Sequence, residues 1–168
     1  LALAESRGKY LCVLDADDVL SPNKVRDHYA ALESNPKAAV AWGRTVVLYP
    51  RTAPLSRETV PPKGFTPGWD LITPYQVAHS STTWRKDALV RAGGYDVEKV
   101  LVEAPDLFLK VGDFAEQIYV PRIASFKRVF PTGKFRAELT EEKRNYLSKK
   151  LVRETLARRF GFRPENKD

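Results

Sequence analysis

An apolar run that ends in closely spaced aspartates is the feature that most constrains this chain. Residues 10–14 read Tyr-Leu-Cys-Val-Leu, and three carboxylates follow them at once: Asp15, Asp17 and Asp18. An unbroken run of this kind predicts a strand of a parallel sheet, buried on both faces. In open α/β sheets a ligand lies beyond the carboxyl ends of such strands. The aspartates are therefore predicted to line a ligand site.

Three carboxylates this close repel one another unless a cation or a hydrogen-bond donor lies among them. Mg²⁺ and Mn²⁺ prefer oxygen ligands and commonly bridge one or two carboxylates to substrate phosphates. The pattern therefore favours a divalent-cation site. The alternative is a polar turn whose aspartates only cap the helix that Ser21 and Pro22 are predicted to begin.

The rest of the chain predicts an alternation of strands and helices. After Pro22, Val25, Tyr29 and Leu32 recur at helical spacing, and the helix is expected to end before Pro36. The remaining predicted elements are a strand over 38–49, an irregular segment over 50–74, an extended segment over 77–84, helices over 86–92 and 105–111, short strands over 118–120 and 123–130, and a long helix capped by Thr140 and ended by Gly161.

The composition and the missing motifs exclude several classes of protein. With 43% hydrophobic and 29% charged residues the chain fits a folded domain. It has no run long enough to span a bilayer, and no P-loop, dinucleotide-binding or zinc motif. The single cysteine, Cys12, falls in the first predicted strand and is expected to be buried. One cysteine forms no disulfide within the chain, which favours a cytoplasmic location.

The last part of the chain is strongly basic. The formal net charge is +7, and the segment 143–163 contributes much of it. Such a segment either contacts an anionic membrane surface or an acidic partner, or is the solvated face of a surface helix. Nucleic-acid binding is a further and weaker hypothesis for this segment, because the sequence contains no recognised nucleic-acid module. We expect residues 136–168 to form a basic amphipathic helix and tail behind a domain at 1–135.

Two blocks of this sequence resemble the family 2 inverting glycosyltransferases of the GT-A fold. The first is the segment 4–22, which reads AESRGKYLCVLDADDVLSP and contains the DxD motif followed by a helix starting at a proline. The second is HSSTTWRKDAL at 79–89 leading to AGGYD at 92–96. The resemblance covers roughly residues 1–130. It implies an α/β fold with a mixed, Rossmann-like sheet flanked by helices. The front strands of the nucleotide-binding half are expected to have been lost or removed, or to belong to another polypeptide.

The resemblance implies transfer of a sugar from a nucleotide-diphosphate donor, such as a UDP- or GDP-sugar, to an acceptor hydroxyl with inversion. The acceptor could be a glycan, a lipid or a protein. The resemblance also implies Mg²⁺ or Mn²⁺ as the cofactor, which would neutralise charge on the departing diphosphate. Asp17 is the first choice as metal ligand, and Asp15 and Asp18 contribute to the metal or to the donor ribose.

The second block implies further substrate-binding residues, each with a structural alternative. Gly93 and Gly94 either let the backbone approach the sugars or end a helix in a tight turn. Trp84 either stacks on a sugar ring or packs in the core. His79 either reaches the diphosphate or the metal, or holds a structural hydrogen bond.

One departure from the family pattern concerns the general base. The family supplies its base from a Glu-Asp-x-Asp-Leu run, and the corresponding run here is EAPDL at 103–107, with Ala104 at the position of the usual aspartate. Glu103 and Asp106 are the carboxylates left to take the acceptor proton, although Asp106 would serve equally as a helix cap. The competing hypothesis is an inactive glycosyltransferase remnant that acts as a binding module.

Overall fold

The computed structural model describes residues 2–49, 57–59, 77–99, 102–129 and 140–161. Within them the α-helices are α1 (Ala2–Glu5), α2 (Lys24–Ser34), α3 (Lys86–Arg91), α4 (Glu103–Val111) and α5 (Glu141–Phe160), and a short 3-10 turn covers His79–Ser81. The strands are β1 (Tyr10–Cys12), β2 (Val19–Leu20), β3 (Ala38–Leu48), β4 (Arg57–Thr59), β5 (Thr82–Arg85) and β6 (Glu116–Arg128). The predicted α/β class is confirmed.

The strands form one mixed sheet in the order β1-β5-β3-β6-β2, and β4 pairs with β3. Strands β3 and β6 run parallel, whereas the pairs β1–β5, β3–β5 and β2–β6 are antiparallel. It follows that β1, β3 and β6 point the same way. Their carboxyl ends, together with the start of β5, therefore define the side of the sheet where the aspartates lie.

The environment predicted for the first strand was wrong. Within the described part of the chain, β1 pairs with β5 alone and does so antiparallel. Cys12 is exposed rather than buried, and Leu14 is 51% exposed. An uninterrupted apolar run gives no information on how many neighbouring strands cover it, so the pattern could not distinguish a central strand from an outer one.

Helix α2 starts later, and buries a different face, than the pattern predicted. The Ser21 N–H donates to the Ala124 carbonyl of β6 at 2.9 Å, so the chain leaves the sheet before it can turn into the helix at Lys24. Val25 and Tyr29 are 59% and 54% exposed. Of the three positions in the predicted pattern only Leu32 is buried. The other side chains that α2 buries are Lys24 and His28, which lie at four-residue spacing with Leu32.

Two other predictions need correction. The irregular segment 50–74 contains strand β4, and the rest of that segment lies outside the described residues. The two short strands expected around Pro121 are one strand, β6. Opposite Gly43 and Arg44 the β3–β6 register shifts, so Pro121, which has no N–H to donate, sits at an irregular point of the ladder.

The main hydrophobic core lies between the sheet and α4. Trp84 of β5 packs on Phe108 of α4 with ring centroids 4.7 Å apart, and both side chains are fully buried. Helix α5 contributes Leu151 to this core. Its predicted cap and end are confirmed, because the Thr140 hydroxyl accepts the Lys143 N–H and Gly161 has φ +64°.

Ion pairs also hold α5 against the sheet domain. Asp113, just after α4, binds Arg158 and Arg159, and Lys99 binds Glu154. The Phe160 ring at the end of α5 is 60% exposed. Whether residues 136–168 fold as a unit of their own stays a prediction. Within the described residues no helix has the length and apolar character needed to cross a membrane.

Candidate active site

The aspartate-rich segment joins the two ends of the strand order. Strands β1 and β2 are outermost in the sheet, yet only residues 13–18 separate them, so this segment must cross from one end to the other. A turn closes within it, where the Asp18 N–H donates to the Asp15 carbonyl at 3.0 Å. The Asp15 N–H donates to the Ser80 hydroxyl at 3.0 Å. The DxD segment is thereby joined to the 3-10 turn that carries His79.

A buried lysine links the same two segments. Lys24 is 1% exposed, and its ammonium group donates to the Ser80 carbonyl at 2.7 Å and to the Val13 carbonyl at 3.2 Å. Burial lowers the pKa of Lys24, while the nearby Asp15 carboxylate acts in the opposite direction. An ammonium group is costly to bury unless it is hydrogen-bonded. Lys24 therefore fixes the end of β1 against the turn at 79–81.

Asp18 is the buried member of the three aspartates. Its side chain is 7% exposed, and one carboxylate oxygen accepts the Arg128 N–H at 3.3 Å. Burial raises the pKa of Asp18, the Ser80 hydroxyl lowers it, and Asp15 and Asp17 raise it further by repulsion. Asp17 is exposed, and its carbonyl accepts the Arg128 guanidinium at 2.5 Å.

His79 and Tyr95 form a hydrogen-bonded pair beside this segment. The His79 Nε2 atom lies 2.9 Å from the Tyr95 hydroxyl, and the ring centroids are 5.5 Å apart. Burial lowers the pKa of His79, and burial raises the pKa of Tyr95 to about 12. Both side chains are therefore neutral near pH 7. Either His79 or Tyr95 can be the donor of this hydrogen bond, depending on the histidine tautomer.

The carboxylates of Asp15 and Glu103 both act electrostatically on this pair. Both carboxylates raise the pKa of Tyr95, and both oppose the lowering of the pKa of His79. Glu103 is the first residue of α4, and one of its carboxylate oxygens is buried without a hydrogen bond to any described residue. The DxD segment, His79, Tyr95 and Glu103 thus form one electrostatically coupled group, called the acidic cluster below.

The other predicted base, Asp106, has a different environment. Its side chain is 2% exposed and forms an ion pair of 2.5 Å with Lys110, one turn further along α4. It does not appear among the charges that shift the pKa of His79 or Tyr95. Asp106 is therefore engaged in an ion pair within its own helix, whereas Glu103 belongs to the acidic cluster.

The second sequence block divides between the site and the core. Trp84 is fully buried, and its indole N–H donates to the Thr82 hydroxyl at 2.8 Å, so its ring has no open face for a sugar. The proposed stacking role of Trp84 is therefore wrong, and the core alternative holds. Gly93 and Gly94 have φ of +84° and +69° and donate their N–H groups to Val90 and Leu89.

These two hydrogen bonds are those of a Schellman motif, which ends α3. The glycines are therefore required by backbone conformation. Their helix-end role is present, and contact of either glycine with a substrate stays a prediction.

The aspartates do not form a complete metal cage by themselves. Among the described residues no group of three histidine, cysteine, aspartate or glutamate side chains is placed to hold a metal ion. However, one Asp18 oxygen is buried without a hydrogen bond to a described residue, and the repulsion that raises its pKa would be relieved by a cation. One or two carboxylates completed by substrate phosphates is the usual arrangement for Mg²⁺. The residues present fit a shared site of that kind.

Sequence reasoning missed several residues of this site. The sequence pattern did not single out Lys24, Ser80, Tyr95 or Arg128. The four-residue spacing of Lys24, His28 and Leu32 was a signal of the buried face, but it was hidden because two of the three residues are polar. Tyr95 stood next to the glycine pair and could have been found from that position.

The fold is that of a glycosyltransferase domain. The sequence model of the family described as Glycosyl transferase family 2 matches residues 1–87, which is just over half of the chain. The chain therefore belongs to glycosyl transferase family 2, and the resemblance noted in its sequence is confirmed.

Solved structures with the same fold come from TarS of S. aureus. TarS 1–349 in complex with UDP-GlcNAc has 13% identity and a TM-score of 0.59, with 98% of this chain and 52% of that chain covered. A second structure of TarS 1–349 has 16% identity and a TM-score of 0.57, with 98% of this chain and 51% of that chain covered. This chain thus spans about half the length of those TarS chains, and at such identities the likeness establishes the fold.

Proposed function

We propose that this chain transfers a sugar from a nucleotide-diphosphate sugar to an acceptor hydroxyl with inversion, assisted by Mg²⁺ or Mn²⁺. Membership of glycosyl transferase family 2 supports glycosyl transfer in general. The UDP-GlcNAc in the TarS complex favours a UDP-sugar as the donor to test first. The observation that carries the proposal is the acidic cluster, in which Asp15 and Glu103 act on the same His79–Tyr95 pair beside the DxD segment.

The proposed roles follow from where each side chain lies. Asp17 and Asp18 would hold the metal together with the donor diphosphate, and the metal would offset the charge that develops there. Lys24 and Ser80 keep the DxD segment in register with His79. The neutral His79–Tyr95 pair offers hydrogen-bond donors to the donor or acceptor oxygens near that segment.

We propose Glu103 as the general base. An inverting displacement needs a group that accepts the proton of the acceptor hydroxyl, and such assistance is typically worth about 10² to 10⁴ in rate. Glu103 and Asp106 each have a buried oxygen without a hydrogen bond to a described residue, but that oxygen of Asp106 lies 2.5 Å from the Lys110 ammonium group in an ion pair. The position of the usual family aspartate offers no carboxylate here, because it is occupied by Ala104, which is 6% exposed and belongs to the buried core.

Donor binding is the direct test of this proposal. Calorimetric titration of UDP- and GDP-sugars with Mn²⁺ should show binding by the wild type and a clear loss in Asp17→Ala. The matched control is Asp87→Ala, an exposed aspartate at the start of α3 away from the acidic cluster. Binding that survives Asp17→Ala, or is absent from the wild type with every donor, would contradict the proposed donor site.

The roles of the two carboxylates are separated by release of nucleoside diphosphate from the donor that binds. Glu103→Gln should keep donor affinity and lower kcat by about 10² to 10⁴. Asp106→Asn should lower kcat less than tenfold, since it loses only a helix ion pair. If Asp106→Asn abolishes turnover and Glu103→Gln does not, the assignment of the base is wrong.

The second candidate function is that of a non-catalytic binding module. Ala104 favours it, because the family position that normally carries the acid is occupied by a buried methyl group. Under this hypothesis a wild type that binds donor shows no release of nucleoside diphosphate, and Ala104→Asp does not restore it. Turnover that depends on Glu103 would exclude this candidate.

A further inference from the structure

Helix α5 has two faces with different tasks. One face docks on the domain through Leu151 in the core, through the buried Thr155, and through Arg159, whose guanidinium donates to the Leu109 carbonyl at 3.1 Å. These positions recur every four residues, as expected for one face of a helix. The docking leaves the opposite face of the helix outward.

The outward face carries cations and aromatic rings together. Its described exposed residues are Lys143, Tyr146, Lys149, Lys150, Arg153 and Phe160, and we call this set the basic face. Successive members lie three, three, one, three and seven residues apart, spacings that keep all six within one broad stripe along the helix. Tyr146 is 65% exposed and Phe160 is 60% exposed.

The charges on this stripe are hardly opposed. Among the described side chains of α5, Glu142 is the acid on the same stripe, while Glu154 lies half-exposed and is bound by Lys99. Arg158 and Arg159 are held by Asp113 on the other side of the helix. Among the described residues, the cations of the basic face therefore outnumber the acids beside them, and the face is net cationic.

We infer that the basic face docks the protein on an anionic phospholipid surface. Clusters of lysine and arginine on an exposed helix are attracted by anionic lipids at about 1 kcal/mol per residue. Tyrosine and phenylalanine in the same stripe suit the boundary between headgroups and acyl chains, where an apolar ring meets a polar layer. A phosphate backbone would satisfy the cations equally, but it offers no apolar layer for the exposed Tyr146 ring.

Vesicle sedimentation tests the inference with the full chain. The wild type should bind vesicles of phosphatidylcholine mixed with phosphatidylglycerol, and should not bind vesicles of phosphatidylcholine alone. The triple variant Lys149→Gln, Lys150→Gln and Arg153→Gln should bind about a hundredfold more weakly, given about fivefold per removed charge. Glutamine is a good helix former, so α5 is expected to persist, which circular dichroism checks.

A matched control separates this face from overall charge. Arg7→Gln, Lys37→Gln and Arg122→Gln remove the same number of charges at exposed positions outside α5 and should leave vesicle binding nearly unchanged. Equal losses in both triple variants, no binding to the anionic vesicles, or preferred binding to duplex DNA or RNA would each overturn the inference. The assay needs neither donor nor metal, so its failure would leave the proposed function untouched.

Discussion

The buried histidine of α2 should make the stability of this protein depend on pH. His28 is 1% exposed, with Nδ1 3.0 Å from the Thr83 hydroxyl, and burial together with the Lys24 cation lowers its pKa from 6.5 to about 4. Asp27 opposes this shift only in part. Between these two values the unfolded chain binds a proton that the folded protein does not. The free energy of unfolding therefore falls as the pH drops from about 6.5 towards 4.

The size of this effect follows from the shift itself. A difference of about 2.5 pKa units at 1.36 kcal/mol per unit corresponds to about 3 kcal/mol of stability that is present above pH 6.5 and lost near pH 4. Because whole domains are stable by only about 5–15 kcal/mol, a loss of this size is easily measured. Asp18, whose pKa is raised, contributes a slope of opposite sign, so wild type must be compared with a variant.

Urea denaturation across this pH range measures the effect. His28→Gln keeps a polar group beside Thr83 but cannot take up the proton, so its stability should fall less steeply below pH 6.5. His79→Gln is the control, and it should leave the His28 contribution in place. The chain has only two histidines, so NMR titration can assign each pKa directly. Parallel stability curves for wild type and His28→Gln, or a His28 pKa near 6.5, would refute the reasoning.

Three further predictions follow from single contacts. Lys24→Met should lower the free energy of unfolding by about 1–3 kcal/mol in urea titrations, because two carbonyls lose a buried donor; unchanged stability and donor affinity would contradict its linking role. Gly43→Ala should cost about 1–3 kcal/mol, since the new Cβ would lie 2.8 Å from the Arg122 carbonyl oxygen; an unaltered urea midpoint would contradict this packing. Glu103→Gln should lower the pKa of His79 further in NMR titrations, because a carboxylate that favours the imidazolium is removed; no change would place Glu103 outside the acidic cluster.

The order of elements could be predicted from the sequence because each is marked by local chemistry. The proline at 36 and the caps Thr140 and Gly161 set helix ends correctly, since these residues act on the backbone within one turn. The pairing of β1 with β5 could not be predicted. Strand neighbours are chosen by contacts far apart in the sequence, and an apolar run is compatible with either edge or centre.

The failure at α2 has a more specific cause. A helix is assigned its buried face from apolar residues, but the face that meets the DxD segment and the turn at 79–81 must supply hydrogen-bond donors to their backbone carbonyls. Lys24 does this with its ammonium group, and His28 bonds Thr83 of β5. Polar residues of α2 are therefore buried and Val25 is exposed. The backbone carbonyls of loops that form a site need hydrogen-bond donors, whereas the side chains of an apolar core do not.

The sequence leaves two candidate general bases, and an electrostatic difference between them supports the proposal of Glu103. Glu103 and Asp106 are three residues apart on α4, and their spacing alone would place them on neighbouring positions of one face. Lys110 lies four residues after Asp106 and neutralises it, whereas the Glu103 carboxylate acts on the His79–Tyr95 pair. A base must keep an oxygen free for a proton, so the position of one lysine makes Glu103 the better candidate of the two.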